Sequence, residues 1–292
     1  MQTNDVNEIK RRLKAVKDTR QITNAMYLLS AARMKKAMQS IDFNLLYLRR
    51  LRETIKDILC STETSKLSNP FMEDNGKGTA AFIILTADKG LCGDYNSAVV
   101  DLAMREMAKH DSPFVYSLGL MGDLLLRRKG IIPSESWYGA SQRPTLTLAD
   151  TVAEKVIDLY MTVDCHVVYI VYTEFINSSV QSPRCVRMLP LFRSDFVDIS
   201  DGLIDEDPII YEPSVEVVFD SFVDQYITGF IYDVLMQASA CENIARMNAM
   251  RGANDKADEM TELLERNVNA LRQQQITNDI TEIAAAIEAG GV

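Results

Sequence analysis

One loop of this 292-residue chain gathers residue types that could do chemistry: TADKGLCGDYNS, residues 86–97. Cys92 is a potential nucleophile, and the neighbouring Lys89 could lower its pKa. Asp88 and Asp94 could act as a carboxylate pair or hold a cation. Gly90 and Gly93 permit left-handed backbone, so amides at the start of a following helix could cradle an anion. Each possibility has a plainer counterpart. The loop contains neither GxGxxG nor GxxxxGK[ST], so neither a dinucleotide fingerprint nor a P-loop is present. No histidine lies near Cys92 in sequence, and the chain has only His110 and His166. A tight strand-to-helix turn with Asn96 or Ser97 as helix cap, a packed thiol and two capping or solvated acids accounts for the same residues. Gly90, Cys92 and Gly93 are therefore read as a structural turn; no catalytic residue, metal ligand or cofactor contact is assigned.

The elements that must position this turn are set by where helix breakers fall. All eight prolines lie between Pro70 and Pro213, and no glycine precedes Gly76. Both ends of the chain are thus free to form long helices, from about Asn7 to Cys60 and from Glu212 to Glu288, roughly 80 Å and 115 Å long at 1.5 Å per residue. In the first, apolar residues fall at 9, 13 and 16, at 22, 26 and 29, at 34, 38, 41, 45 and 48, and at 51, 55 and 58. In the second they fall at 215, 219, 222 and 226, at 260, 264, 268 and 271, and at 276, 280, 283 and 287. Steps of three and four mark a coiled-coil seam, and the irregular steps between sets predict breaks in its heptad register. Methionines 26, 34, 38, 236, 247, 250 and 260 belong to that seam. The longer helix should outrun its partner.

Charge supports the pairing. The chain carries 31 Lys and Arg against 41 Asp and Glu. Residues 1–60 nevertheless hold 13 basic and 6 acidic side chains, and residues 213–292 hold 5 basic and 13 acidic. Helices of opposite sign attract, and the clusters KRRLK (10–14) and RMKK (33–36) are placed to face the acidic one. The acidic remainder argues against nucleic acid. No apolar run is long enough to cross a bilayer, and the first residues do not read as a signal or transit peptide, so no direct membrane insertion is expected. Five scattered cysteines without a CxxC pair read as reduced thiols.

The middle alternates strand and helix, which predicts a Rossmann-like α/β domain with a largely parallel sheet. VQSPRCVRMLPLF, with Pro183 and Pro190, is assigned to an edge strand. The fold class expected is therefore mixed α/β plus all-α: a helix over 1–68, a central α/β domain over 69–208 and a second helix over 209–292, the helices forming a long antiparallel coiled coil.

Three motifs carry a resemblance. IKRRLKAVKDTRQITNAMYLLSAARMKKA resembles the N-terminal helix of the gamma subunit of F-type ATP synthases. TADKGLCGDYN is similar to that family's glycine turn, and ARMNAMRGANDKADEM with NALRQQQITNDITEI is similar to its C-terminal helix. Asp94, Ala270 and Asp279 depart from the family pattern, as in a divergent bacterial member. The resemblance implies a rotating central shaft that couples ion-driven rotation of a membrane c-ring to conformational cycling of the beta-subunit catalytic sites. It further implies a non-catalytic chain with three alpha and three beta subunits, an epsilon subunit and the c-ring as partners, no cofactor, and a peripheral position on the cytoplasmic face of the membrane. Carried over by motif, Arg272, Gln273 and Thr277 would contact beta-subunit catch loops, and Met26, Arg33 and Lys36 the inner sleeve and lever segments. The competing readings are a free-standing coiled-coil scaffold whose α/β domain binds a small ligand, and an enzyme using the Gly90–Gly93 turn.

Overall fold

The computed structural model describes residues 2–61, 69–72, 78–142, 144–162, 165–177, 180–196 and 211–289. The sequence RSDFVDISDGLIDEDPIIYEP (193–213), which reads as a polar, acidic loop between the α/β domain and the last helix, lies outside them over 197–210. Both terminal helices form: α1 spans Gln2–Ser61 and α5 spans Val215–Ala289. Between them come β1 (Thr79–Leu85), α2 (Tyr95–Met107), β2 (Phe114–Leu118), α3 (Leu120–Arg128), β3 (Glu135–Trp137), α4 (Leu146–Thr162), β4 (Cys165–Phe175) and β5 (Gln181–Leu189). Contacts divide the chain into two units, Met1–Ser30 with Arg246–Val292, and Ala31–Ala245.

The larger unit is built on a five-stranded sheet of order β3-β2-β1-β4-β5, parallel except for β5, which runs antiparallel against β4 at the edge. That edge position is what Pro183 required, since proline has no N–H to give a central ladder. β1 (TAAFIIL) is an unbroken apolar run because it is covered on both faces. Ala80, Phe82 and Ile84 meet Val99, Val100, Ala103 and Met107 of α2 on one face. Ala81, Ile83 and Leu85 meet, on the other, a core supplied by α4, by Ile55, Ile58 and Leu59 of α1, and by Phe219, Val223, Ile227 and Ile231 of α5. Burying an apolar side chain of this size contributes about 1.5–3 kcal/mol, so these stretches of the two terminal helices are integral parts of the α/β core.

Within this unit α1 and α5 run antiparallel. Asn44 Nδ2 donates to the Gly229 carbonyl at 3.2 Å, and Tyr47 Oη donates to Gln225 Oε1 at 3.2 Å, so numbers rise on one helix as they fall on the other. At Gly229 the helices approach closely: a Cβ would stand 3.0 Å from Leu48 Cδ2, so the leucine tip would have to give. Asp233 is buried against the same contact, accepting from Asn44 at 3.4 Å and from Gln237 at 2.6 Å. Its carboxyl is held above the usual range, by desolvation first, with both hydrogen bonds opposing. The stretch 234–244 of α5, rich in small residues, is covered nearly all round.

The smaller unit pairs the first half of α1 with the second half of α5, again antiparallel. Lys17 meets Glu265 at 2.7 Å, Arg20 meets Asp258, and Thr23 meets Asn254. Opposite charge does join the helices, but through Lys17 and Arg20. Among the described residues neither KRRLK nor RMKK forms an ion pair with α5, and Arg12 binds Glu8 of its own helix.

The seam follows the expected one in part. Along α1 the buried or half-buried positions are 6, 9, 13, 16, 23, 26, 27 and 30 in the smaller unit, and 31, 34, 37, 38, 40, 41, 44, 48, 51–56, 58 and 59 in the larger. Positions 17–22 are all exposed, Arg20 included, so the seam is interrupted after 16. Of the expected positions on α1, Ile22, Leu29 and Leu45 are exposed. On α5 the positions Leu264, Val268 and Leu271 are half-buried as expected, whereas Met260, Ile276, Ile280 and Ile283 are exposed. Met26, Met34, Met38 and Met247 are half-buried, and Met236 and Met250 are buried.

His110 and His166 meet beyond the C-terminal end of α2, ring centroids 6.2 Å apart, with His110 also against Phe82 and Tyr169. Desolvation first, then His166 and Lys109, hold the His110 pKa below its ordinary value, and Glu106 opposes them. The folded state therefore favours neutral His110. The contribution is present above the unfolded pKa near 6.5 and is lost as pH falls through the lower folded value. Because the ring is partly solvated, the contribution is small. Urea midpoints measured from pH 7.5 to 5 should fall less for His110→Gln than for the parent; parallel curves would show that His110 contributes nothing to this dependence.

Candidate functional site

The glycine turn is built from inside. At the end of β1, the Thr86 amide donates to the Leu118 carbonyl at 2.8 Å, and Thr86 Oγ1 accepts from the Gly122 amide at 2.9 Å. The Ala87 amide donates to Asn96 Oδ1 at 2.8 Å and the Asp88 amide to Ser141 Oγ at 3.1 Å. Two amides that could have faced an anion are thus taken by side chains. Left-handed backbone falls at Leu91 (φ 62°) and Gly93 (φ 61°); Gly90 does not need it.

Asn96 and Ser97 do not cap α2. Asp94 occupies the cap position without a side-chain bond, Asn96 turns back to Ala87, and the Ser97 hydroxyl donates to the Asp94 carbonyl at 2.9 Å. Asn96 has a better use, because the buried Ala87 amide would otherwise be unpartnered. Cys92 is 2% exposed and receives Asn96 Nδ2 on its sulfur at 3.2 Å. It packs with Ala87, Tyr95 and Cys241. Burial, helped by Glu174, pushes the Cys241 thiol up to about 12, so that thiol stays protonated at neutral pH. Tyr95 Oη donates to the Ala238 carbonyl at 3.0 Å, tying the turn to α5; burial first and Glu242 second raise its pKa well above normal. The two histidines stand at the other end of α2, away from Cys92.

Sequence reasoning undervalued Asp88. Its side chain is buried, with Oδ1 accepting from the Gly139 amide at 2.8 Å and the Leu120 amide at 3.3 Å, and Oδ2 accepting from Ser141 Oγ at 3.0 Å. Ser239 of α5 donates to the Ser141 carbonyl at 2.8 Å. Asp88 therefore links three loops at one end of the sheet, and through Ser141 they reach α5. The signal available was an acid directly after an apolar strand, where local amides lack partners. Asp94, by contrast, is exposed.

The helix residues singled out by motif fall into two groups. In the smaller unit Met26 is half-buried on α1, and Arg272, Gln273 and Thr277 lie exposed on α5. The Thr277 hydroxyl donates back to the Gln273 carbonyl at 2.9 Å. Ala270 and Asp279 are exposed on the same stretch. In the larger unit Arg33 and Lys36, both exposed, line a cleft of about 360 Å³ with Gln142, Thr145, Ser239 and Asn243. Asn243 is buried, and its Oδ1 has no hydrogen-bond partner. Among the described residues no group of three His, Cys, Asp or Glu could hold a metal, and no helix is long and apolar enough to cross a membrane.

The family model described as ATP synthase matches residues 5–289. The ATP synthase gamma chain of Caldanaerobacter subterraneus subsp. tengcongensis is 37% identical over 290 residues, covering 94% of this chain and 97% of that one. The chain belongs to the ATP synthase gamma-chain family. The gamma chain of Ruminiclostridium cellulolyticum is 34% identical, with 98% of this chain and 99% of that one covered. Among solved structures, a chain of the Euglena gracilis mitochondrial ATP synthase (OSCP/F1/c-ring, rotational state 3) aligns over 98% of this chain and 95% of its own, with a TM-score of 0.70 at 17% identity. A chain of the Tetrahymena thermophila mitochondrial ATP synthase central stalk/c-ring aligns over 80% of this chain and 99% of its own, with a TM-score of 0.60 at 24% identity. These likenesses extend the family's fold to mitochondrial complexes.

Proposed function

We propose that this chain is the central shaft of a rotary ATP synthase. It couples ion-driven rotation of a membrane c-ring to the conformational cycling of catalytic sites on beta subunits, in synthesis or in the reverse direction. The observation that carries the reading is the family match over nearly the whole chain, from residue 5 to residue 289. The paired terminal helices support it: the apolar seam turns inward while the outer face differs from place to place, with exposed isoleucines at 276, 280 and 283 and cations at 33 and 36. Such a surface presents a different contact to each subunit of a surrounding ring as it turns, biasing each toward a different state.

In this reading the chain performs no bond chemistry of its own; ATP is made or hydrolysed on the beta subunits. The partners are three alpha and three beta subunits, an epsilon subunit and the c-ring, with the chain peripheral on the cytoplasmic face of the membrane. By role it divides into a helix over 1–68, the α/β domain over 69–208 and a helix over 209–292. Arg272, Gln273 and Thr277 would engage beta-subunit catch loops, and Met26, Arg33 and Lys36 the sleeve and lever segments.

Two measurements test this. The tagged chain should co-purify with alpha, beta and epsilon subunits and a membrane ring; a monodisperse chain that never associates with them would defeat the proposal. Arg272→Ala with Gln273→Ala, both at exposed sites, should leave assembly intact and lower rotation-coupled ATP hydrolysis about tenfold, a loss of about 1.4 kcal/mol in barrier terms. Unchanged hydrolysis would remove the catch assignment.

A further inference from the structure

In the larger unit α1 carries apolar residues on two faces. Ile41, Leu48 and Leu51 turn into the protein, whereas Phe43, Leu45, Leu46 and Tyr47 are exposed, Phe43 to 80%. A solvated helix face rarely holds four large apolar residues within five positions. Beside them opens a groove of about 530 Å³ between α1, the start of α4 and α5. Tyr47 and Tyr232 form aromatic parts of its wall, Thr228 and Gly229 lie on α5, and Asp150 and Asp224 supply carboxylates. Leu146, exposed at the start of α4, also lines it.

Neither Asp150 nor Asp224 makes an ion pair among the described residues. Asp224 is held above the usual carboxylate range, by burial first and by Asp220 second. The cations that follow Tyr47 along α1 are committed elsewhere: Arg49 and Arg50 both bind Glu53, at 3.1 and 2.9 Å. The groove is therefore a surface of aromatic walls and uncompensated negative charge flanked by an apolar ridge.

We propose that this surface docks an apolar segment of another protein that places a Lys or Arg side chain between Asp150 and Asp224. Charge complementarity selects this occupant. A second copy of this chain in a two-fold contact would set aspartates against aspartates. An anionic lipid surface would be repelled for the same reason. A divalent ion would need a third ligand, and no such group exists among the described residues. A cation beside Tyr47 and Tyr232 gains from both the carboxylates and the ring faces, and the ridge of Phe43, Leu46 and Leu146 buries the segment's apolar side chains.

The proposal rests on the shaft reading only in taking the partner to be another subunit of the same complex. The test uses the full-length chain in the purified complex. Asp150→Lys with Asp224→Lys should leave the thermal melt of the chain unchanged, since neither carboxylate is bonded to the fold. Alpha and beta subunits should remain, and one further subunit should be retained about tenfold less in native mass spectra. In parallel, a photo-reactive benzoylphenylalanine replacing Phe43 should label a Lys- or Arg-bearing segment of that same subunit. Reversing the labelled cation to Glu should restore retention in the doubly reversed variant. Retention of every subunit, failure of the compensating reversal, or a photo-adduct on lipid, on a second copy or on a segment without Lys or Arg would overturn the assignment. Loss of alpha and beta subunits with the further subunit retained would count against the shaft reading and, because charge reversal left that partner in place, against the groove as well.

Discussion

Replacing Gly119 by valine should destabilise the α/β unit by about 4 kcal/mol, enough to unfold much of it at 37 °C. Gly119 sits at the turn from β2 into α3 with φ +104°, a conformation that L residues rarely adopt. It is fixed there by its amide, which donates to the Trp137 carbonyl at 2.8 Å. A Cβ would stand 2.7 Å from the Thr86 carbonyl carbon and 2.8 Å from Thr86 Oγ1. Thr86 cannot retreat, because its own amide and hydroxyl are bonded to Leu118 and Gly122. Backbone strain of about 1–3 kcal/mol thus adds to overpacking of about 1–3 kcal/mol. Gly130 separates the two effects, since it has φ +85° with nothing within 4 Å of a Cβ. Gly130→Ala should cost only about 1 kcal/mol, and Gly119→Ala clearly more. Equal urea midpoints for the two alanine variants would sink the steric part of the argument.

The contrast between those glycines marks what could be read from the residues alone. The long helices were legible because a missing breaker is a local property, and so was the edge position of the strand holding Pro183. The seam was only partly legible, for a physical reason. At half-buried Thr23 and at buried Ser30 and Asn44 the inward side chain is polar, and Thr23 and Asn44 are satisfied across the helix pair, by Asn254 and by Gly229 and Asp233. A search for apolar periodicity skips such positions and moves onto Ile22 or Leu45, which are exposed. Ile276, Ile280 and Ile283 raise the opposite difficulty: their spacing is that of a seam, but among the described residues the face they form is exposed. A sequence records that a face is apolar and not which chain covers it. In the glycine turn the residue types were visible, but their partners, Gly139, Ser141 and Ala238, lie far along the chain.

Asp88 shows what that distance conceals. Asp88→Ala should lower stability by about 3 kcal/mol although no apolar surface is lost. The carboxylate takes the Gly139 and Leu120 amides and the Ser141 hydroxyl, and alanine would leave all three without this acceptor in a largely buried site. An unpartnered buried donor costs about 1–3 kcal/mol. Ser141 would lose its hold from Asp88 while keeping Ser239, so the damage should spread along the 139–141 loop toward α5. Hydrogen exchange is the discriminating measurement. Asp88→Ala should accelerate exchange at Gly139 and Leu120 far more than at Ile83 in the middle of β1, whereas Asp88→Asn, which keeps one acceptor oxygen, should fall between. Uniform acceleration across β1 and the turn would mean that Asp88 acts through global stability alone, and the anchoring role would be wrong. If it holds, the acid of the TADKGLCG turn is a fastener that joins the sheet to α5, and the apparent chemical loop serves mechanical continuity between the α/β core and the C-terminal helix.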